Sequence, residues 1–455
     1  MSIYPYLYQN YWRVVSWKNN SKTPQHLKQL RKSQFWSKDE IEKLQLKKLK
    51  NLISYAYKSV PYYKKIFNEN NLHPTDITSF NDIQQIPVLH KNQIRNHIDQ
   101  LISVEASKET LRKDFTSGST GEPLILYRDK NYSEYAKADQ YRSYEFSGYR
   151  QGDKFVRLWG AHRDAPTTTF LAKLQQKINR TMFINTFNIC EENMEGIMKK
   201  LKAFHPDYLL GYASSLYFFA KYMEKNNITN ICPKGIISSA ETLYEYQRKL
   251  INESFMAPVF NNYGCREVGA IACECDKHNG LHVLAENQFI EIQNRNGEPC
   301  APGEIGKIIL TNLNNYSFPL IRYEIGDMAK TSTIDKCNCG RGLPLLDDIA
   351  GRTIDNFIFS KGEIVHGGYF IYIFLGVKGV SRFQVIQEKI NQLRIKIVKS
   401  NEFTIQDIEN IKKKITKDLG EAIEIEVEYV TEIEKTPTGK HRVIVSKIIE
   451  DYYAL

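Results

Sequence analysis

Asp114-Phe115-Thr116-Ser117-Gly118-Ser119-Thr120-Gly121-Glu122-Pro123 is the stretch of this 455-residue chain that carries most information about its fold. Glycines let a backbone approach a ligand and turn its N–H groups inward, and hydroxyl side chains supply further donors. Such a loop suits phosphate oxygens, although a polar turn between two strands fits the same residues. The apolar run at residues 124–127 predicts a strand directly after it. The loop is not a P-loop, because no Lys-Ser/Thr pair follows its second glycine.

The composition is that of an ordinary globular protein, with 42% hydrophobic and 25% charged residues. The length predicts two or more domains. A formal net charge of +10 is compatible with polyphosphate ligands, acidic membrane surfaces or nucleic acid. No compact basic and aromatic signature favours nucleic acid.

Aromatic residues are concentrated at the N-terminus, where residues 1–17 include four tyrosines and two tryptophans. This segment lacks the apolar run and the cleavage site of a signal peptide, and no apolar stretch is long enough to span a bilayer. The expected location is therefore cytoplasmic. Such rings more often pack on their own domain, but peripheral contact with a membrane is an alternative.

The pattern of apolar residues predicts an α/β fold. Helical segments alternate with short apolar runs at residues 155–159, 208–210 and 235–237, which indicates a sheet covered by helices. Strands at residues 289–293 and 306–310 predict an additional β-rich portion. After about residue 356, alternating strands flank an amphipathic helix that begins after Thr404 and ends at Gly420, which predicts a compact α+β domain.

Five further segments follow the loop in a fixed order. They are Ser239-Ala240-Glu241, Asn262-Tyr263-Gly264-Cys265-Arg266-Glu267, Arg322-Tyr323-Glu324-Ile325-Gly326-Asp327, Gly351-Arg352-Thr353-Ile354-Asp355 and Thr436-Pro437-Thr438-Gly439-Lys440. Each segment alone is a weak signal. Together they closely resemble the adenylate-forming (AMP-binding) enzyme superfamily, and within it the phenylacetate–CoA ligase-like branch, which includes capsular polysaccharide biosynthesis homologues. The resemblance extends from roughly residue 50 to the C-terminus.

The resemblance implies a site for ATP and Mg²⁺. Thr116 and the residues after it would hold the β- and γ-phosphates, namely Ser117, Gly118, Ser119, Thr120 and Gly121. Tyr263 would flank adenine, with Ser239, Ala240 and Glu241 on the other side of its slot. Asn262 and Gly264, on either side of Tyr263, would also bind the nucleotide. Asp327, an acceptor-only carboxylate, would bind the ribose hydroxyls, and Arg352 would reach ribose or phosphate. Glu267 matches the glutamate that binds Mg²⁺, a cation that prefers hard oxygen ligands.

The resemblance also implies two domains that move relative to each other. Residues 1–354 would form the large adenylation domain, with a helical extension at about residues 1–60, and residues 355–455 would form a small C-terminal lid. Asp355 would be the hinge. Lys440 would contact the carboxylate and the bridging oxygen of the adenylate when the lid closes, and a mobile ammonium group suits that role.

Four of the eight cysteines cluster near histidines. Cys275 and His282, together with Cys337 and Cys339, supply the ligand types of a tetrahedral structural zinc site, with Cys273 and His278 as substitutes. Reduced thiols that lie close by chance are the alternative. Such a site would join two loops and leave no open position for chemistry.

The predicted function is ATP-dependent, AMP-forming ligation of an organic acid to CoA through an acyl-adenylate, with aryl acids among the candidate substrates. The residues after the hinge read His366-Gly367-Gly368 where CoA-using relatives usually carry a valine-x-proline element, so an amine or hydroxyl acceptor in surface polysaccharide biosynthesis is an alternative. A non-catalytic nucleotide-binding scaffold is a second alternative. Trp159, His162, Tyr212 and Ser214 are candidates for the acyl pocket. The sequence predicts neither the acid nor the oligomeric state.

Overall fold

The structure is a computed structural model. It describes residues 3–116, 124–159, 169–186, 191–352, 356–360, 364–366, 370, 373–374, 377, 379–400, 402–419, 423–434 and 442–448. The statements below concern these residues.

Five helices precede the first strand. They are α1 (Tyr4–Lys18), α2 (Thr23–Ser33), α3 (Lys38–Ser59), α4 (Pro61–Glu69) and α5 (Lys91–Asn96), with short 3-10 turns at Pro74–Asp76, Asn81–Gln85 and Lys108–Thr110. A capping box is present at the start of α3, where the Glu40 N–H donates to Ser37 Oγ (3.3 Å) and the Ser37 N–H donates to Glu40 Oε2 (2.8 Å). Pro61 follows the end of α3 and begins α4, because a proline needs no hydrogen-bond acceptor in a first turn.

The stretch Asp114 to Pro123 lies within a β-hairpin. Strands β1 (Arg112–Phe115) and β2 (Ile125–Arg128) are antiparallel, with Phe115 opposite Ile125. Beyond the last strand pair, the Thr116 N–H donates to the Leu124 carbonyl and the Leu124 N–H donates to Thr116 Oγ1, both at 2.9 Å. Thr116 therefore closes the base of the loop, whose residues 117–123 lie outside the described residues.

A parallel sheet forms the centre of the chain. Its strands are β3 (Phe155–Trp159), β4 (Thr181–Asn185), β5 (Tyr208–Gly211), β6 (Gly235–Ser239) and β7 (Val259–Cys265), in the spatial order β4-β3-β5-β6-β7. The helices of this portion are α6 (Lys130–Glu145), α7 (Phe170–Asn179), α8 (Glu191–Phe204), α9 (Ala213–Lys225) and α10 (Glu245–Phe255). One face of the sheet, including Val156 and Leu158, packs on side chains of α8, α9 and α10 in a buried core.

An antiparallel portion continues the same sheet beyond β7. It consists of β8 (Gly269–Glu274), β9 (Leu281–Val283), β10 (Gln288–Gln293), β11 (Ile305–Asn312), β12 (Tyr323–Thr331) and β13 (Leu345–Arg352). These strands follow β7 in the order β8-β9-β13-β12-β11-β10, which gives an 11-stranded mixed sheet. The predicted α/β fold with an additional β-rich portion is confirmed.

The C-terminal portion has a sheet of its own. Strands β14 (Asn356–Ile358) and β15 (Ile364–His366) form a hairpin, and β16 (Val380–Lys389), β17 (Gln392–Lys399), β18 (Glu424–Tyr429) and β19 (Ile444–Ser446) form a four-stranded sheet. Helix α11 (Ile405–Leu419) packs Ile408, Ile411 and Ile415 on that sheet. The Asp407 N–H donates to Thr404 Oγ1 (3.3 Å), which confirms the predicted start of the helix. Gly420, the predicted end signal, lies outside the described residues.

Candidate active site and cysteine–histidine cluster

Two tyrosine–carboxylate pairs connect motifs that are more than fifty residues apart. The Tyr263 hydroxyl at the end of β7 donates to Asp327 Oδ2 in β12 at 2.8 Å. The Tyr323 hydroxyl at the start of β12 donates to Glu267 Oε1, between β7 and β8, at 3.1 Å. Burial raises the pKa of both tyrosines well above the ordinary value, and the neighbouring carboxylates add to that effect. Both hydroxyls therefore remain protonated donors that fix the positions of the two carboxylates.

A charged cluster joins the base of the loop to the segment that carries Glu267. Asp114 in β1 forms ion pairs with Arg128 in β2 (3.0 Å) and with Arg266 (3.9 Å). Arg128 also donates to the Arg266 carbonyl oxygen, and the Tyr132 hydroxyl in α6 donates to the Glu267 carbonyl oxygen at 3.3 Å. These contacts hold Asp114, two residues before Thr116, beside the segment Arg266-Glu267. Sequence reasoning missed Arg128 and Tyr132, because no motif marks either residue.

The predicted segment Ser239-Ala240-Glu241 lies where β6 ends, at the carboxyl ends of the parallel strands. Ala240 has a left-handed backbone (φ 66°), and the adjacent Glu241 carboxylate accepts a hydrogen bond from the Ser214 N–H in the first turn of α9 at 2.9 Å. Glu241 therefore caps that helix. Trp159 and Tyr212, at the ends of β3 and β5, lie with ring centroids 4.3 Å apart, so two of the candidate acyl-pocket residues are in contact. His162 lies outside the described residues.

Asn262 and Gly264, two residues of the second motif, have structural roles in the packing of β7. The Asn262 side-chain amide donates to Ser143 Oγ in α6 at 3.0 Å, so it holds β7 against that helix. A Cβ atom at Gly264 would lie 2.5 Å from the Gly269 carbonyl oxygen, so the close approach of β7 and β8 requires glycine. The assignment of Asn262 and Gly264 to nucleotide binding stays a prediction.

The structure describes the remaining predicted residues only in part. The β-sheet register places Arg352 opposite Asp327, but the position of its side chain is not described. Ser117, Gly118, Ser119, Thr120, Gly121, Asp355 and Lys440 lie outside the described residues. Of the predicted nucleotide site, the structure therefore brings together Tyr263, Glu267 and Asp327 with the backbone of Arg352.

The cysteine–histidine cluster forms a second site. Ligand atoms of Cys275, His282, Cys337 and Cys339 all lie within 4.8 Å of one another. The Cys275 and Cys337 sulfur atoms are 3.7 Å apart, and Cys339 Sγ is 3.4 Å from His282 Nε2. A tetrahedron with Zn–S bonds of about 2.3 Å and Zn–N bonds of about 2.0 Å has edges of about 3.8 Å (S···S) and about 3.5 Å (S···N). The geometry of the four side chains therefore fits zinc.

The two substitutes proposed from the sequence lie elsewhere. His278 Nδ1 is 3.4 Å from Glu274 Oε2, and its ring lies against Phe260. Cys273 is buried in the apolar core, where burial raises the pKa of its thiol. Among the described residues, the four side chains assigned first are those whose ligand atoms converge.

Comparisons with known proteins give relatives at the levels of sequence and of fold. A family model described as the CapK C-terminal domain matches residues 357–447. Protein CapK of Staphylococcus aureus is 28% identical over 90% of both chains. Phenylacetate-coenzyme A ligase of Thermus thermophilus is 24% identical over 80% of this chain and 83% of its own. A solved 2-hydroxyisobutyryl-CoA ligase in a postadenylation state superposes with a TM-score of 0.72 and 18% identity over 93% of both chains.

The chain therefore has the fold of the adenylate-forming ligases. Within that class, its similarity to the phenylacetate–CoA ligases and to Protein CapK confirms the resemblance inferred from the sequence motifs. The same relatives confirm the prediction of an AMP-forming ligase. The structure contains no helix, within its described residues, that is long and apolar enough to cross a membrane.

Proposed function

We propose that this protein activates an organic acid with ATP, releases pyrophosphate, and transfers the acyl group from the adenylate to CoA. The observation that carries the proposal is the convergence of Tyr263 with Asp327 and of Tyr323 with Glu267, because it unites two motifs that are far apart in the sequence in one site. That site lies at the carboxyl end of β7, and ligands of open α/β sheets bind at such ends. CoA as acceptor is supported by relatives that are coenzyme A ligases.

Each group at the site has a role in this reaction. Asp327 accepts hydrogen bonds from the ribose, Arg352 opposite it reaches ribose or phosphate, and Tyr263 lies against adenine. Glu267, held by Tyr323, is the side chain that would bind Mg²⁺, and the bound cation would neutralise phosphate charge. Thr116 and the residues after it would bind the β- and γ-phosphates. Lys440 neutralises the reacting carboxylate, since the first step joins two anions.

The domain arrangement is part of the proposal. Residues 1–354 form the adenylation domain and residues 355–455 form the lid, with the hinge at Asp355. The match of residues 357–447 to a C-terminal family model and the separate sheet β16–β19 support this boundary. Zinc at Cys275, His282, Cys337 and Cys339 joins the connection after β8 to the connection after β12, and the tetrahedral spacing supports it.

Transfer to an amine or hydroxyl acceptor in surface polysaccharide biosynthesis is a second candidate. The motivating feature is the segment His366-Gly367-Gly368, which replaces the valine-x-proline element usual in CoA users. Among the described residues, His366 ends β15, opposite Asn356. The chemistry of activation is the same for either acceptor, so the two candidates differ only in the second half-reaction.

A pyrophosphate-exchange assay with a panel of aryl and small aliphatic acids tests activation. We expect ATP-dependent exchange with at least one acid, and loss of exchange in Glu267→Gln but not in Glu298→Gln, which alters an exposed turn. Mass spectrometry of the trapped adenylate then identifies the acid. Folded protein that binds ATP but supports no exchange with any acid would favour the scaffold alternative.

Competition between acceptors tests the second half-reaction. The preferred acid, ATP and the enzyme are combined with equimolar CoA and an amino sugar, and the products are separated. A thioester as the main product supports the proposal, whereas an amide or ester would assign the protein to the second candidate.

A further inference from the structure

Helix α1 has an inner face that is fixed to the rest of the fold. The Tyr4 hydroxyl donates to the Ile178 carbonyl at 2.8 Å, and the Tyr8 hydroxyl donates to Asn179 Oδ1 at 2.9 Å, both at the end of α7. The Trp12 ring packs edge-on against Tyr141 in α6, with centroids 5.7 Å apart. These contacts anchor the helix and set its orientation.

The opposite face of α1 carries large apolar side chains that lie in solvent. The α1 face, as we name it, consists of Ile3, Tyr6, Leu7, Tyr11, Val14 and Trp17. Apart from the adjacent Tyr6 and Leu7, successive members are three or four residues apart, so the six form one stripe about 20 Å long. Trp17 is 80% exposed and Ile3 is 72% exposed. Single exposed apolar residues are ordinary, but a continuous row of six indicates an interaction surface.

Helix α7 adds a second exposed apolar segment. Phe170 is 79% exposed and Leu171 is 75% exposed. The last turn of the same helix binds Tyr4 and Tyr8, so α1 and α7 are neighbours on the surface. Exposed Lys173 lies between the apolar pair and that last turn.

The N-terminal segment that contains α1, residues 1–38, is strongly basic. Residues 1–38 contain seven lysine and arginine residues and no aspartate or glutamate, whereas residues 39–455 contain 55 basic and 52 acidic residues. Most of the +10 net charge therefore belongs to the first 38 residues. Helices α1 and α7 contain no acidic residue, and exposed Arg13 and Lys18 border the α1 face.

We propose that the α1 face docks on an anionic lipid surface, with α1 lying in the plane of the interface. Aromatic and aliphatic side chains would enter the boundary between headgroups and acyl chains, while Arg13 and Lys18 would bind lipid phosphates. A second copy of the chain fits less well, because pairing two such faces would bring like charges together. This inference does not depend on the proposed ligase reaction.

Sedimentation of the full-length protein with vesicles tests the docking. We expect binding to vesicles of equal parts phosphatidylcholine and phosphatidylglycerol, weaker binding to phosphatidylcholine alone, and a blue shift of tryptophan fluorescence. The triple variant Leu7→Gln, Val14→Gln, Trp17→Gln should lower the bound fraction by at least about tenfold, because each side chain contributes apolar burial at the interface.

A matched control alters three apolar residues of similar exposure elsewhere, Val104→Gln, Met256→Gln and Ile405→Gln, and should bind like the unaltered protein. Arg13→Gln with Lys18→Gln should reduce the preference for the anionic lipid. Circular dichroism establishes that each variant is folded. Equal binding by both triple variants, or no binding to anionic vesicles, overturns the proposal. Loss of a dimer in the first triple variant, without vesicle binding, would assign the face to self-association.

Discussion

At the scale of single residues, the site uses tyrosine hydroxyls to hold carboxylates in place. Tyr263 and Tyr323 are held protonated by burial and by neighbouring carboxylates, so each remains a donor to Asp327 or Glu267. The sequence predicted both carboxylates because they stand in recognisable motifs. It did not predict the Tyr323 contact, since pairing between a residue in β12 and one in the β7–β8 connection depends on the sheet order.

The role of Asp327 is tested by Asp327→Ala. We expect the KM for ATP to rise by about 10- to 100-fold, because a hydrogen bond to a charged group contributes about 1.5–3 kcal/mol. The affinity for the acid should change little. Asp335→Ala, at an exposed position between β12 and β13, is the control and should leave both constants unchanged. An unchanged KM for ATP in Asp327→Ala would remove this residue from the nucleotide site.

Glu324 lies within a motif but has partners that the motif does not indicate. Its carboxylate lies 2.8 Å from His90 Nδ1 and 3.2 Å from Lys307 Nζ. Burial alone would raise the pKa of this carboxyl group, but these two partners outweigh burial and lower it. The residue therefore belongs to an ion-pair network that links α5, β11 and β12, which no sequence pattern indicates.

At the scale of elements, the cysteine–histidine cluster joins segments that the sheet brings together. Cys275 follows β8, His282 lies in β9, and Cys337 and Cys339 lie between β12 and β13. Spacing and residue type indicated these four but left Cys273 and His278 as substitutes, because both stand in the same segment as Cys275; the convergence of the ligand atoms separates the two sets. The Asp114–Arg128–Arg266 cluster was not predictable in the same way, since arginine and aspartate occur throughout the chain.

Substitution of one cysteine ligand tests whether the cluster binds a structural metal ion. We expect the purified protein to contain one zinc ion per chain, measured by elemental analysis, and Cys337→Ser to lose it. Because structural zinc contributes directly to folding, Cys337→Ser should lower Tm by at least about 5 °C. Cys232→Ser, at an exposed thiol, should retain both zinc and Tm. Normal Tm in Cys337→Ser would show that the four side chains pack without metal.

At the scale of the whole molecule, a buried charge cluster attaches the N-terminal helices to α6 and to Glu286, which lies between β9 and β10. Arg142 in α6 is fully buried, and its guanidinium forms ion pairs with Glu286 (2.6 Å) and Asp139 (3.1 Å). Glu286 also accepts a hydrogen bond from Ser33 at the end of α2 (2.6 Å), and Lys48 in α3 donates to the Glu286 carbonyl (2.7 Å). Helices α2, α3 and α6 therefore share one polar core.

Replacement of the central cation tests this attachment. Arg142→Met should lower the free energy of unfolding by about 3–5 kcal/mol, because Glu286 and Asp139 would remain buried without their cation. Arg31→Ala removes a more exposed partner of Glu145 and should cost at most about 1 kcal/mol. Urea denaturation followed by circular dichroism measures both. Similar losses in the two variants would contradict a central role for Arg142.

The contact between the 11-stranded sheet and the C-terminal portion includes a small apolar cluster. Met328 and Ala350 of β12 and β13 pack with Ile358 of β14 and with Ile448, while Gln387 of β16 binds the backbone of Ile358 through both amide atoms. Strand β14 is thus tied to the C-terminal sheet and rests on the large one. The motifs predicted a boundary near residue 355, but they could not predict which side chains form the contact, since these are ordinary apolar residues.

Lys440→Ala tests whether the C-terminal portion acts as a lid. The ammonium group would be needed only while the carboxylate attacks ATP, so pyrophosphate exchange should fall by about 100-fold or more, the scale of one charge-stabilising group at a reacting centre. Transfer from a supplied acyl-adenylate to CoA should be largely retained. Lys447→Ala, which removes a surface partner of Glu388 in the same portion, should preserve both half-reactions. A lysine that acts only when the lid is closed for adenylation has no part in acyl transfer. Equal loss of both half-reactions in Lys440→Ala would therefore refute a lid that changes position between them.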